Sequence, residues 1–430
     1  MFGTRGATSR KRPMMQSLTA PAGSDLSAAP KAVRWIPKPE VPVSPVLSLA
    51  ALLSGDDRAV ASVVDVGRPL FLTAGRMAIA QALRIMGVAP GDKVLLPAYH
   101  CAAMVEPLSL VGAEAVFYRL RENLTVDMDD IAAKVDGRVR VLIATNYFGF
   151  PNSLTRIRAF CDDHGLKFLE DCAHSLFGTH DGRPLGSFGH YAIASATKFF
   201  PVRDGGCLVS AAHPETLAPV RLRRQPPLAQ VRQVFDTVEE AVTYGRLPLF
   251  ALPIALAKLG KVPLRWVRGN APRPPAATNP GLMRAGVPGE FDGSWVDVKG
   301  TWVSARICRA ASRRRIARRR RRNFQTLVDA FSGYQGFRPL FTELPEGVVP
   351  YMFPLEVNDL ETSFPRLEDA AVPMQRFGQF PWPGVTAETC PVSNRYSRRL
   401  VQFPCHQELT EAEMQTIIER VLRVLEGTRP

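Results

Sequence analysis

This 430-residue sequence holds no Cys-x-x-Cys pair. Its seven cysteines (Cys101, Cys161, Cys172, Cys207, Cys308, Cys390 and Cys405) are scattered through apolar stretches. That pattern argues against a structural zinc site and against a disulfide framework, and it suits a reducing compartment, the cytoplasm. Also missing is an unbroken apolar run. The longest candidate, Leu247 to Val267, is interrupted by Pro248, Pro253, Lys258, Lys261, Pro263 and Arg265, poor material for a spanning helix and more suited to a surface helix pair. The basic start at Arg10 to Arg12 runs into Pro, Ser and Gly and reads as no secretory signal. Residues 1–44 are expected to be a mobile tail. There is no internal repeat. Against these gaps stand 46% hydrophobic and 22% charged residues, which exclude wholesale disorder and fibrous classes. At about 150 residues per domain, the length suggests two.

The net charge of +14, from 54 Lys+Arg against 40 Asp+Glu, invites a nucleic-acid reading. Its distribution removes most of that appeal. Residues 313–322 hold eight arginines and the first twelve residues hold Arg5, Arg10, Lys11 and Arg12, so the rest of the chain carries an excess of only +2. A solvated helix face is the expectation for the arginine run, and no specific nucleic-acid partner is expected. The apolar insert at 240–267 leaves association with a membrane surface open, without support from any residue.

From residue 71 onward, helix-period segments alternate with short apolar runs, the signature of an α/β fold with a mainly parallel sheet and helices on its faces. Helices are expected at Arg76 to Met86, Ala103 to Val111, Asp127 to Val135 and Ser153 to His164, and strands at Lys93 to Leu96, Ala115 to Tyr118 and Arg140 to Thr145. A strand beginning at Lys167 delivers Glu170 and Asp171 to the carboxyl edge of the sheet, where such folds place ligands. Residues 270–292 read as a long Pro/Gly/Ala-rich loop or crossing linker, within an insert spanning about 225–292. One long helix is expected from Val303 to Phe331, then a strand over Val348 to Val357 and a closing helix from Thr410 to Leu425. The domain change is placed near residue 300.

Phe168 to Val209 is the informative segment. Lys198 follows the nearly uncharged run Tyr191 to Thr197 and precedes Phe199, Phe200 and Pro201. Desolvation there lowers an amine's pKa and makes it a nucleophile toward carbonyl carbon, a Schiff-base candidate. The alternative is a strand-end lysine reaching out to solvent. Similarly, His174 alone is compatible with an ordinary satisfied core histidine, and Thr73 to Arg76 with an ordinary helix N-terminus.

Read together, the E-D-x-A-H of Glu170 to His174, the G-S-F-G of Gly186 to Gly189, the S-x-x-K of Ser195 to Lys198 and the D-G-G of Asp204 to Gly206 resemble the DegT/DnrJ/EryC1/StrS family of sugar aminotransferases. Weaker echoes are A-P-G-D-K-V-L-L-P before residue 98 and F-P-C-H-Q-E-L-T at Phe403 to Thr410. The resemblance implies the pyridoxal-phosphate transferase fold type I: a large domain over 45–300 with a mainly parallel seven-stranded sheet flanked by helices, and a smaller C-terminal α+β domain with the interdomain helix over 301–430. It implies pyridoxal 5'-phosphate as cofactor, no metal, and a homodimer. Asp171 then faces the ring nitrogen, His174 lies near the ring, Lys198 bonds the cofactor's aldehyde carbon, and Ser195 with Gly75 and Arg76 holds the phosphate. The implied reaction aminates a keto-sugar, nucleotide-linked, with L-glutamate as donor. Where the family has an aromatic or hydroxyl residue over the cofactor, this chain has Pro97 to Cys101, with Tyr99 or His100 as substitutes. Where the family's partner subunit contributes Asn-x-Arg-Met-Ser, the chain has Gly300 to Ser304, a departure that leaves the cross-subunit phosphate contact open, with Lys299 as one candidate replacement. Alternatives are a sugar dehydratase or epimerising relative, disfavoured because the deoxygenating branch has His where Lys198 stands, and a non-catalytic basic binding protein on the same scaffold.

Overall fold

Seven short runs of β-branched and aliphatic residues build the main sheet of the computed structural model, which describes residues 37–53, 60–258 and 291–426. They are β1 (Leu70–Leu72), β2 (Lys93–Pro97), β3 (Glu114–Tyr118), β4 (Val139–Thr145), β5 (Lys167–Cys172), β8 (Tyr191–Ser195) and β9 (Gly206–Val209), in the order β1-β9-β8-β5-β4-β2-β3. Between β5 and β8 a small hairpin pairs β6 (Thr179–His180) with β7 (Arg183–Pro184). Every neighbouring pair from β3 through β8 is parallel, and β9 alone runs against its two neighbours. The mainly parallel seven-stranded sheet is therefore as expected.

Because strand side chains alternate between faces, each face collects its own core. Leu142, Ala144, Phe168 and Cys172 join one cluster. Val141, Ile143, Leu169 and Ile193 join the other, together with Met77 to Leu83 of the helix Gly75–Ile85. Position 171 has the parity of Leu169, and position 170 that of Phe168. Period two thus sends Asp171 toward the Gly75–Ile85 helix and Glu170 to the opposite side.

A second sheet, antiparallel, orders β10 (Phe337–Pro339), β11 (Met352–Val357) and β12 (Leu400–Pro404) under the closing helix Glu411–Glu426, and has its own apolar cluster. The strand expected from Val348 begins only at Met352. The single helix expected from Val303 to Phe331 is two, Trp302–Ala310 and Arg313–Phe331. Ala311 and Ser312 between them are extended, and the Ser312 hydroxyl accepts from the Arg315 N–H. The N-cap preference of Ser overrode the helical periodicity.

The expected tail also ends earlier than residue 44. Val41 is buried in the cluster of the second sheet, and the Pro42 carbonyl accepts from His406 Nε2 at 2.9 Å. Apolar contacts hold these residues despite their Pro-rich sequence. Residues 1–36, the loop over 270–290 and the end of the apolar insert beyond residue 258 lie outside the described residues.

The expectation of a solvated arginine face is met in part: Arg314, Arg318 and Arg322 are exposed, while the other five are buried or half-buried. Arg313 pairs with Asp65, Arg315 with Glu408 and Arg322 with Glu411. Arg319 donates to the Gln407 and Leu409 carbonyls, Arg321 to those of Pro345 and Val348, and Arg320 is fully buried. Guanidinium groups carry five donors each, and here they bond backbone carbonyls and carboxylates of the fold.

The two sheets meet at a strained turn. Phe148 has φ +57° and Gly149 φ +104°. A Cβ on Gly149 would lie 2.5 Å from the Val349 oxygen and 2.9 Å from Pro350 Cα, both backbone atoms. Replacing Gly149 by Ala therefore combines a disfavoured φ with a clash that only main-chain movement relieves. Urea unfolding should show a loss of about 3 kcal/mol. Gly137→Ala, where an added Cβ meets nothing within 4 Å, should leave stability within about 0.5 kcal/mol.

Candidate active site

Asp171, His174, Ser195 and Lys198 lie at the carboxyl edges of β5 and β8 or in the turns that follow. Asp171 is buried. It accepts from the Ala173 N–H at 2.8 Å and from the Thr145 hydroxyl at 3.1 Å, the latter from the adjoining strand end. Burial raises its carboxyl pKa, while the Ala173 amide, the Lys198 ammonium and the Thr145 hydroxyl pull the other way. An ionised carboxylate has about four acceptor sites, so capacity remains for another donor. Neighbouring Glu170 has a different fate. Its two oxygens accept from Asn146 Nδ2, Cys172 Sγ and the amides of Gly186, Phe188 and Gly189. The Glu of the E-D pair thus fixes the Gly-Ser-Phe-Gly turn from the far side of the sheet.

Lys198 ends a 3-10 turn directly after β8. The residue is half-buried, yet enough protein surrounds its amine that burial pushes the pKa down, against the opposing pull of Cys101 and Asp171. Its Nζ lies 5.3 Å from the centroid of the Tyr351 ring. That ring in turn stacks on His174 at 4.7 Å. Buried His174 accepts from the Phe148 N–H at Nδ1, 3.4 Å, and meets Phe377 edge-on. Burial and the Lys198 charge hold its pKa well below the ordinary value, so it is neutral at pH 7.

Beside these groups is a cradle of amides and hydroxyls. Gly75 opens the Gly75–Ile85 helix ahead of Met77 and Ala78, the first residues to donate back to the Ala74 carbonyl. A Cβ on Gly75 would sit 3.8 Å from Ser195 Cβ, which places Ser195 against the helix N-terminus. Ser195 and Thr197 share a hydrogen bond of 3.1 Å. Gly206 closes the cradle, since any Cβ there would lie 2.1 Å from the Ala74 oxygen. Amides at a helix start together with hydroxyls and few charges suit a phosphate group. Arg76 directs its nearly buried guanidinium to Glu106 at 3.3 Å.

Two expectations are corrected. Tyr99 is turned into the interior, with its hydroxyl donating to the Phe377 carbonyl at 2.9 Å. His100 stacks on Phe117 and accepts from the Trp382 N–H. Neither is the residue of this segment that Lys198 and Asp171 feel. Cys101 is: burial raises its thiol pKa, and Lys198, Asp171 and Arg76 all act on it. Finally, the Gly300 to Ser304 segment is engaged within its own chain. Asp204 of the D-G-G motif accepts from the Thr301 N–H and hydroxyl, from the Ser304 hydroxyl and from Gln225 Nε2. Lys299 is exposed, and its carbonyl accepts from Gln225.

Sequence reasoning missed Thr145, Thr197, Cys101 and Tyr351. Thr145 was within reach, as the last residue of a buried strand expected to lie in the same sheet as that of Asp171. Tyr351 was not, because it lies more than 150 residues along the chain from Lys198 and carries no local motif.

Together the groups can hold a flat heteroaromatic ring: a carboxylate for a cationic N–H, an amine for a carbonyl carbon, and a cradle for an anionic arm. Residues 57–265 match the DegT/DnrJ/EryC1/StrS aminotransferase family. The chain is 29% identical over 191 residues to the GDP-perosamine synthase of Vibrio cholerae, covering 44% of this chain and 51% of that protein. It is 31% identical over 159 residues to a UDP-N-acetyl-3-dehydro-alpha-D-glucosamine 3-aminotransferase of Acidithiobacillus ferrooxidans, covering 35% of this chain and 42% of that one. The chain thus spans about half the length, or less, of these curated relatives. Among solved structures it resembles Helicobacter pylori PseC, an aminotransferase involved in the biosynthesis of pseudoaminic acid, with TM-score 0.62, 13% identity, and coverage of 91% of this chain and 100% of that one. A putative sugar aminotransferase from Streptococcus pneumoniae in its PLP form gives TM-score 0.61, 16% identity and the same coverage. At such identities the likeness is one of fold, the fold type I of pyridoxal-phosphate aminotransferases.

Proposed function

We propose, from the match of residues 57–265 to the DegT/DnrJ/EryC1/StrS aminotransferase family, that the protein is a pyridoxal-phosphate-dependent aminotransferase that converts the keto group of a nucleotide-linked sugar to an amine, with L-glutamate as donor. The observation that carries the reading is the convergence of a buried carboxylate, a neutral histidine and an amine of lowered pKa beside a helix N-terminus. The names of the two curated relatives, one a perosamine synthase linked to GDP and one a 3-aminotransferase of a UDP-linked dehydro sugar, support the substrate class.

In this reading Asp171 accepts from the cofactor's ring nitrogen and keeps it protonated, while Thr145 and the Ala173 amide hold the carboxylate in place. Ser195, Thr197 and the Gly75 amide hold the phosphate, with Arg76 adding charge nearby. His174, fixed between Phe148 and Tyr351, flanks the ring. Bound there, pyridoxal phosphate supplies an electron sink for the carbanion left when the donor loses its Cα proton. Lys198 would have two tasks: holding the cofactor through a covalent bond to its aldehyde carbon and, as a neutral amine of lowered pKa, taking the donor's Cα proton at Nζ.

A homodimer fits the surface. Leu228 and Val231, 77% and 65% exposed on the helix Pro227–Thr243, lie on the helix that meets Trp302, 63% exposed, through the bond from the Trp302 N–H to Gln230. Apolar side chains so exposed mark a contact face, here for a second copy. A cytoplasmic setting suits the seven free thiols. The basic-binding-protein alternative loses its footing, because six of the eight arginines in 313–322 are engaged by the fold itself.

The test needs no sugar. Protein loaded with pyridoxal phosphate and mixed with L-glutamate alone should release one 2-oxoglutarate per site as the visible absorbance band disappears. A protein that acquires no band, or keeps it while releasing no keto acid with any amino acid tried, rejects the reading.

A further inference from the structure

We propose that Arg320 is the positioning residue for Lys198, acting from the Arg313–Phe331 helix through the lysine's own backbone. Arg320 is fully buried. Its Nη2 donates to the Lys198 carbonyl at 2.9 Å. Its Nη1 donates to the carbonyls of Pro350 at 3.1 Å and Tyr351 at 2.9 Å, and its Nε to Gln407 Oε1 at 2.9 Å. Gln407 continues the pattern by donating to the Phe199 carbonyl at 2.8 Å, and the guanidinium lies 4.5 Å from the Phe199 ring. Burial lowers the pKa of Arg320 to about 10, which leaves it charged at neutral pH.

The arrangement has a consequence for the amine. One planar group fixes the main chain at residue 198 and also fixes the main chain of Tyr351, whose ring forms the wall beside Nζ and stacks on His174. The desolvation that lowers the lysine's pKa depends on that wall staying closed. Only a rigid fork reaches carbonyls from two chain segments at once; an ammonium would reach fewer of them. Charged or titratable groups facing the amine are Asp171, Cys101, His174 and Tyr351. Arg320 makes no hydrogen bond to their side chains among those described, although its charge acts on Tyr351, so the test has to separate geometry from charge. The proposal rests on the role given to Lys198 above, but its test is independent of turnover.

The experiment is competitive acetylation of the cofactor-free full-length protein with acetic anhydride across pH, with Lys198 followed by peptide mapping. Wild type should label with a midpoint below the ordinary lysine value of about 10.4. In Arg320→Met the wall loosens, water reaches the amine, and the midpoint should rise toward the ordinary value, with the labelling rate at pH 8 falling by up to about tenfold for each unit gained. Arg320→Lys retains a positive charge, so a smaller rise in that variant reports geometry apart from electrostatics. Arg321→Met, which removes donors to the Pro345 and Val348 carbonyls, should melt lower yet keep the wild-type midpoint. A folded Arg320→Met with the wild-type midpoint overturns the proposal, however much stability it has lost. If Arg320→Met does not fold, an unchanged midpoint in Arg320→Lys overturns it. Wild-type protein that transfers no amine, together with shifted midpoints in the variants, would leave the positioning role standing and remove the aminotransferase reading.

Discussion

Replacing Lys198 by Ala should abolish amine transfer, with kcat down by on the order of 10⁵-fold or more, because both the covalent attachment and the proton carrier disappear with one side chain. The same variant should fold and melt no lower than wild type. A buried ammonium is costly to desolvate, as its lowered pKa records, and no ion pair is given up that balances that cost. The sign can be checked by pH. Between the depressed pKa and about 10.4 the unfolded chain binds more protons at this position than the folded one, so stability attributable to Lys198 rises with pH in wild type and that component vanishes in the variant. Borohydride reduction of the cofactor-loaded wild type, followed by peptide mapping, should place the label on Lys198. A label elsewhere, or a variant that still transaminates, would remove the residue from the mechanism.

Asp171→Asn should lower kcat by about 1,000-fold, in the range for removing one preorganised electrostatic partner. Asparagine fills the same space: its one carbonyl oxygen can still accept from the Ala173 amide, while its Nδ2 turns to donate to the Thr145 hydroxyl. It lacks the negative charge that keeps a ring nitrogen protonated, so geometry and charge are separated in one substitution. Asp171→Ala removes both and should also weaken cofactor binding, read as a faster loss of the absorbance band on dialysis. Near wild-type kcat in Asp171→Asn would reassign the ring-nitrogen contact.

The sheet was legible because its strands are short, apolar and punctuated by Gly-terminated helices, and because parity alone separates Asp171 from Glu170. The site residues that share the Phe168 to Val209 segment were picked out by the order and spacing of motifs that resemble one family; taken singly, Lys198 and His174 each allowed an ordinary structural reading. Tyr351 and Arg320 were not legible, since they reach the site from segments more than a hundred residues away and carry no local pattern. Arg320 was hidden more deeply still. In a run of eight arginines nothing in the spacing marks the one that is buried, because side chains of identical composition differ only in which way the helix turns them. The break at Ala311 and Ser312 was obscured by the same run, whose helical periodicity drew attention away from a single capping hydroxyl.

Asp204 gives the fold a mechanical property. Its carboxylate grips the start of the helix Trp302–Ala310 through Thr301 and Ser304. The next residue, Gly205, donates to the Thr73 carbonyl and accepts from the Ala196 amide, bracketing the loop that precedes the Gly75–Ile85 helix on one side and the Ser195 to Lys198 turn on the other. A push on the 300–304 segment is therefore carried along a lever of about one residue into the anion cradle.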